Sequence, residues 1–264
     1  MKDEPSTLEA IMQQARALLL FHRQCGLDYP LSDGLRNFLA PRPGRPPQPA
    51  PPARPPAPST AKSPAVTVPA QPPATTLDDL RQGVADCHHC LLGKAEQRMI
   101  FGEGSTEQGV ALLLICDPPG PEEMAQQEPI SGEARALLMK MLGAISLSLN
   151  DVFLTNIVKC GPPEQRMPTP AEAAACLPYL LRQLELLQPK IICTMGQAAS
   201  QIMLKTTQPL VSLRGRFHDF KGTPLMPTFH PSLLLKLPEL KKGAWHDLQM
   251  IHKRLEDFGS GRKF

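Results

Sequence analysis

Four short apolar runs constrain this chain more than any other feature. They are "GVALLLIC" (109–116), "DVFLTNIV" (151–158), "KIICTMG" (190–196) and "TPLMPTFHP" (223–231). Each is continuous rather than alternating, so both faces of each strand must be covered. Helical patterns separate them: 133–147, 169–189 with Thr169 as N-cap and Pro170 in the first turn, a third starting at "QAASQIML", and 232–258 with a break near Pro238. Strands alternating with helices predict an α/β fold. The expected form is a three-layer α/β/α sandwich around a central four-stranded, mainly parallel sheet. In such sheets the working residues gather where strands end and loops begin.

The rest of the chain reads differently. Residues 41–76 hold 14 of the 31 prolines, with Arg42, Arg45, Arg54 and Lys62 and no acid. Such a stretch is an extended cationic linker that cannot bury a core. It precedes the folded domain, expected over 77–260, and follows an N-terminal helical segment, 1–40. There Ser6 and Glu9 form a capping-box pattern, Leu8, Ile11, Met12, Ala15, Leu18 and Leu19 repeat at helical spacing, and Gly26 stops the run. That helix either docks on its own domain or serves as a tethered handle for a protein partner. Net charge is −7 over 78–156 and +7 over 157–264, and a basic C-terminal half suits an anionic partner. The longest aliphatic run is far short of the ~20 residues a spanning helix needs. The acidic N-terminus is unlike a signal peptide. A cytoplasmic location is expected.

Seven cysteines in a chain read as non-exported point to metal, redox or buried thiols rather than to disulfides. Cys87 and Cys90 form a C-x2-C in a polar loop. Cys160 closes "NIVKCGPP", and Cys176 lies in the first turns of the next helix. Four thiolates bind tetrahedral zinc or a cubane iron–sulfur cluster, and spacing does not choose between them. Cys116 and Cys193 lie in apolar strands and Cys25 ends a helix, so these three are expected to be small buried hydrophobes. His88 and His89 inside the turn are expected to be exposed or to support the ligands rather than join them.

Several segments together are similar to one family. "CHHCLLGKAEQRMIFGEG", "TNIVKCGPP", "MPTPAEAAACLPYLLRQLELLQPKIICTMGQAA", "LRGRF" and "PTFHPSLLLKLPELKKGAWHDL" span roughly residues 80–255. Their order resembles the family 4 uracil-DNA glycosylases, which carry a [4Fe–4S] cluster. The resemblance implies that Cys87, Cys90, Cys160 and Cys176 hold that cluster, in a mainly structural role. It also implies a hydrolase that excises uracil from DNA and so begins base excision repair. Such an enzyme extrudes the nucleotide and breaks its C1′–N1 bond. Asn156, at a strand end, is then the reader of the uracil edge, its carbonyl accepting from N3–H and its NH₂ donating to O4. His230, in "FHPS", is the donor that stabilises the departing anion at O2. Residues 232–236 resemble the family's wedge loop, with Leu233 or Leu234 filling the vacated stack.

Two departures from the family pattern stand out. The family reads G-E-A-P-G where this chain has Cys116, Asp117, Pro118, Pro119 and Gly120. Asp117 keeps a carboxylate for water or for the cationic sugar, Gly120 is retained in the base pocket, and Cys116 adds a side chain where Gly allows close approach. Ile130 replaces the aromatic on which the flipped base stacks, a loss of ~1–3 kcal/mol that an aliphatic lid offsets in part. These changes keep a second reading open: an iron–sulfur DNA-binding protein of the same fold with weakened or absent catalysis. A zinc-stabilised α/β protein is a third. Lys159, Arg166, Arg214, Arg216, Lys236, Lys241 and Lys242 are the expected phosphate contacts. Trp245 is expected to anchor the last helix in the core.

Overall fold

The computed structural model describes residues 74–85, 87–93 and 99–259. The N-terminal helical segment, Cys25 and residues 41–73 of the expected linker lie outside the described residues. The described residues begin within the expected linker. Ala74 is buried and its carbonyl accepts from Nε of Arg182 (3.1 Å). Thr76 caps helix α1 (Leu77–Val84) in a reciprocal box with Asp79. Residues 74–76 therefore belong to the domain, not to the linker.

The sheet has six strands rather than four. In chain order they are β1 (Glu103–Gly104), β2 (Leu112–Cys116), β3 (Val152–Asn156), β4 (Ile191–Met195), β5 (His218–Phe220) and β6 (Thr223–Thr228). Their spatial order is β1-β3-β2-β4-β6-β5. The four apolar runs are the four central strands, all parallel. The two additions are short antiparallel edges, β1 on β3 and β5 on β6. At two and three residues they are too short to carry a hydrophobic signature, and they leave little open edge for another chain to pair with.

Between the strands run α2 (Pro121–Gln126), α3 (Gly132–Gly143), α4 (Pro170–Leu187), α5 (Gln197–Leu204), α6 (Leu210–Leu213), α7 (Pro231–Lys236) and α8 (Lys241–Gly259). Helix α4 starts where its sequence says it should. Thr169 Oγ1 accepts from the Glu172 amide (3.2 Å), and the Glu172 carboxylate accepts from the Thr169 amide (2.8 Å). Pro170, which has no N–H to satisfy, takes the first helical position.

Alternate strand residues face opposite layers. Leu113, Ile115, Phe153, Ile192 and Leu225 pack with residues of α1, α4 and α5. Leu112, Leu114, Val152, Leu154, Ile191, Cys193 and Met226 pack with α3 and α8. The result is the expected α/β/α sandwich. Among the described residues no helix is long and apolar enough to cross a membrane.

The connections decide where a site can form. From β2 the chain moves to β3 on one side, then crosses back to β4 on the other. That reversal opens a crevice at the carboxyl ends of the strands, where open α/β sheets take ligands. Register aligns the edge: Asn156 pairs with Cys116, Cys116 with Met195, and Met195 with Thr228.

Candidate active site

Asn156 is the last residue of β3 and is 1% exposed. Its Nδ2 donates to the Asp117 carbonyl and to the Pro129 carbonyl, each at 2.9 Å. Two carbonyls on one side fix the amide's orientation. Oδ1 is turned the other way and is a buried acceptor with no partner. An orphaned buried acceptor is costly unless a ligand fills it. The finding also corrects the expected role of the amide. Both Nδ2 protons are already used, so this amide has an acceptor to offer but no proton left to donate to a ligand oxygen.

His230 follows β6 and caps its own helix, α7. The Ser232 amide donates to Nδ1 at 3.3 Å, and the Ser232 hydroxyl lies 2.7 Å from the same nitrogen. An amide N–H can only donate, so Nδ1 is the acceptor and the neutral ring carries its proton on Nε2. Burial pushes the imidazole down to about 4, with the Glu123 carboxylate working the other way. At neutral pH the ring is an uncharged Nε2–H donor. Three strand spacings of ~4.8 Å separate the rows of Asn156 and His230, a gap that the two side chains and a pyrimidine between them can fill.

Asp117, directly after β2, is turned toward the N-terminus of α5. Its Oδ1 accepts from the Ala199 amide at 2.8 Å. Desolvation raises its pKa to about 6, while the amides of Ala199, Gln197 and Ala198 pull it down. The helix comes this close because residue 196 is glycine. Its φ is 112°, and a Cβ there would sit 2.1 Å from Asp117 Oδ2. With much of its lone-pair capacity taken by amides, Asp117 offers charge at the site more readily than a free base for water.

Gly120 is held by a residue that sequence reasoning missed. Glu123 Oε2 accepts from the Gly120 amide at 3.0 Å, and Oε1 accepts from the Ser131 hydroxyl at 2.8 Å. The Gly120 N–H therefore faces Glu123 and is not offered to a ligand. Glu123 fastens the loop after β2 to the segment before α3. The S-x-x-E type of signal that would reveal it is hidden, because Gly120 has no side chain to mark the cap.

Two expectations for this loop are corrected. Ile130 is 0% exposed and packs with Leu112, Leu138 and Leu142 in the core. It is no lid over a pocket. The neighbouring Pro129 faces the site instead, through its carbonyl. Cys116 is likewise fully buried in that core, so the side chain found where the family has Gly does not protrude into the crevice. Cys193 is buried as expected, and burial pushes its thiol well up.

The four cysteines of the proposed centre line one pocket, together with Met99, Val158 and Tyr179. Cys87 and Cys90 are half-buried, and Cys160 and Cys176 are buried. The Lys159 amide donates to Cys176 Sγ at 3.2 Å. Tyr179 Oη lies 3.5 Å from Cys87 Sγ and 2.6 Å from His89 Nδ1, so His89 is tied through Tyr179 to the pocket wall. Among the described residues, no three His, Cys, Asp or Glu side chains are grouped as one ion would require. Tetrahedral zinc brings thiolates to ~3.8 Å of one another, given Zn–S bonds near 2.3 Å. The four cysteines are four soft donors around one pocket, and no grouping tight enough for a single ion is found among the described residues.

The expected phosphate contacts divide sharply. Lys159 is 0% exposed. Its Nζ donates to Thr155 Oγ1, to the Asn156 carbonyl (3.1 Å) and to Gln183 Oε1 (2.7 Å). It is a buried strut behind Asn156, not a DNA contact, and burial lowers its pKa to about 8. Arg214 is held by Asp247 (2.9 and 3.0 Å) and lies over the Phe229 ring. Arg166 grips Glu172 through two nitrogens (2.7 and 2.8 Å), and this pairing draws Glu172 down to about 2. These two guanidinium groups are occupied within the fold. Arg216, Lys236, Lys241 and Lys242 are exposed.

The wedge and the tryptophan are corrected too. Leu234 is 1% exposed and packs with Leu210, Phe229 and Ala244, so it cannot enter a base stack. Leu235, its neighbour, is 37% exposed. Trp245 is 41% exposed and does not anchor α8, whose buried face is Ala244, Asp247, Leu248 and Ile251. The helical period was legible, but not which side of the turn met the core.

Residues 77–249 match the model of the uracil DNA glycosylase superfamily. The chain is 32% identical to a type-4 uracil-DNA glycosylase of Saccharolobus solfataricus over 205 residues, 71% of this chain and 94% of that protein. It is 33% identical to a type-4 uracil-DNA glycosylase of Thermotoga maritima, over 66% of this chain and 91% of that one. A third, from Archaeoglobus fulgidus, is 30% identical over 67% and 92%. Matches of this length run from α1 through the sheet into α8 and so include both the crevice and the cysteine pocket: the chain belongs to the uracil DNA glycosylase superfamily and, within it, to the type-4 uracil-DNA glycosylases.

Proposed function

We propose that this protein removes uracil from DNA by hydrolysing its N-glycosidic bond, with Asn156 and His230 as the two residues that act on the base. The observation that carries the assignment is Asn156 Oδ1, a buried acceptor without a partner. Uracil N3–H supplies the donor it lacks. Cytosine presents a bare ring nitrogen at that position, so its entry would set acceptor against acceptor and leave the orphan unsatisfied.

As the C1′–N1 bond lengthens, negative charge gathers on the leaving base and positive charge on the sugar. The Nε2–H of His230 meets the base's O2 and takes up the first charge as an oriented donor, with no proton transfer required. The Asp117 carboxylate opposes the second. Water then adds to the sugar cation at C1′ and gives up a proton to solvent, and the departed uracil anion takes one up, leaving an abasic site and free uracil. Glu123 holds Gly120, and Lys159 holds the Asn156 backbone, so the reader and the loop beside it stay fixed while the nucleotide enters.

Cys87, Cys90, Cys160 and Cys176 hold a [4Fe–4S] cluster in this reading, and the cluster supplies a structural clamp between the loop at 87–93, the end of β3 and the start of α4. The support is a donor set of four thiols around one pocket, in a chain whose type-4 relatives it matches from helix α1 into helix α8. Purified protein should be brown and carry about four irons per chain, and Cys160→Ser should lose both. DNA is the substrate, contacted through Arg216, Lys236, Lys241 and Lys242. The N-terminal segment, beyond the Pro-rich linker, serves as a handle for a protein partner.

The test is release of free uracil from single- and double-stranded oligonucleotides that contain one uracil. Appearance of free base with matching alkali-labile sites supports the assignment. Binding of the same DNA with no release of base contradicts it.

A further inference from the structure

Trp245 is the chain's single tryptophan, and it is 41% exposed as the fifth residue of α8. Its neighbours on the chain are firmly fixed. Ala244, just before it, is buried against Leu234 and Phe229. Asp247, two residues on, is 0% exposed and accepts from Arg214 and, at 2.7 Å, from the Thr228 hydroxyl. Thr228 ends β6, two residues before His230. The turn that carries the indole is therefore tied to the strand that delivers His230. An aromatic face held open on a rigid element is a prepared surface, not a loose end.

The charged residues just before it in the chain are mostly cationic. Lys236, Lys241 and Lys242 are exposed, and none is ion-paired among the described residues. Glu239 is the single acid between 236 and 246. An exposed indole beside unpaired ammonium groups suits a ligand that presents flat π faces and anions together. A single nucleic-acid strand does so, one base and one phosphate at a time. A closed duplex hides its base faces, and a plain polyanion has none.

We propose that Trp245 is a stacking platform for an unpaired base that flanks the extruded nucleotide, with Lys241 and Lys242 meeting phosphates of the same strand. Its placement beside an extruded nucleotide rests on the glycosylase reading above, but its affinity for a bare strand does not. The platform predicts a preference for single-stranded or locally opened DNA.

Because there is one tryptophan, its emission reports on the platform directly. The intact protein would be titrated with a 16-mer oligothymidylate, which contains no uracil, and separately with heparin, a polyanion without bases. The proposal expects saturable quenching by the oligonucleotide and none by heparin at equal occupancy. It expects Trp245→Ala to weaken oligothymidylate binding roughly tenfold or more, and Trp245→Phe, which keeps a ring, to recover most of that. Equal quenching by heparin, or wild-type affinity in a folded Trp245→Ala, overturns it. Uracil release measured on the same preparation separates the two readings. Release without quenching removes the platform alone. Quenching without release removes the glycosylase reading and leaves a strand-binding surface.

Discussion

The Ser232 amide points its proton at Nδ1 of His230 across 3.3 Å, and this one bond decides which face of the imidazole is useful. It holds the ring in the tautomer with a proton on Nε2 and makes the same side chain the cap of α7. In the proposed mechanism, catalysis and helix capping therefore depend on one residue, and substitution can separate them. His230→Asn keeps a good cap but has no Nε2–H. It should lower the rate of uracil release about 100- to 1000-fold, as loss of an oxyanion donor does, with little change in Tm. His230→Ala should show the same loss of rate and an additional destabilisation of about 1 kcal/mol.

Asn156 predicts the opposite pattern, in which activity and stability fall together. Its Nδ2 satisfies the carbonyls of Asp117 and Pro129. Asn156→Ala leaves both without a donor, so the fold should lose about 2 kcal/mol or more while excision is lost. Denaturant midpoints and single-turnover rates on the same preparation check this. Unchanged stability would mean that the amide is not held as described.

The pH dependence separates Asp117 from His230. Burial puts His230 at about 4 and Asp117 at about 6. The imidazole is neutral from pH 5 to 8 and contributes no inflection near 6.5. As pH falls through 6, Asp117 takes a proton, and the proposed mechanism loses the charge that offsets the sugar cation. The rate should drop below about pH 6, and Asp117→Asn should be slower and flat across that range. Stability carries opposite signs for the two groups. The lowered imidazole makes stability rise with pH between about 4 and 6.5, because the unfolded chain binds more protons there. The raised carboxyl makes it fall between about 3.8 and 6. In Asp117→Asn the rise should be steeper than in the wild type, as read from Tm against pH.

Salt dependence tests which cations meet DNA. Each phosphate contact on a single strand adds ~0.7 to the slope of log K against log salt. Lys241→Gln combined with Lys242→Gln should reduce that slope by about 1.4. Lys159→Ala should leave the slope unchanged, because its ammonium is spent on Thr155, Asn156 and Gln183. It should instead cost about 3 kcal/mol through the cavity and the unmet acceptors.

Ile130→Phe should not rescue stacking. The side chain is enclosed by Leu112, Leu138 and Leu142, and a larger ring there should cost about 1–3 kcal/mol by overpacking without raising the rate. An increase in the rate of uracil release would show that this side chain reaches the pocket after all.

Much of this arrangement was legible in the sequence, for identifiable reasons. The four central strands were readable because burial on both faces makes each an unbroken apolar run. The positions of Asn156 and His230 at strand ends follow from the strand runs, and the structure places both at the edge where parallel sheets take ligands. What could not be read was direction. Nothing local says that Lys159 turns inward to Gln183, 24 residues away, or that Arg214 finds Asp247 and Arg166 finds Glu172. Leu234 and Leu235 look alike in sequence, yet one is core and the other is open. Trp245 was assigned to the core on its type alone, and the register of α8 turned it outward. Glu123 escaped notice because its partner is a backbone amide.

The central claim is that Asn156 and His230, at the carboxyl edge of one sheet, act on one uracil. Single-turnover release of uracil from a single-stranded oligonucleotide, compared among wild type, Asn156→Ala, His230→Asn and the double variant, tests it most directly. Two residues acting on one transition state predict large single losses and a double loss well short of their product. Wild-type rates in either single variant, or no release by the wild type itself, would contradict it.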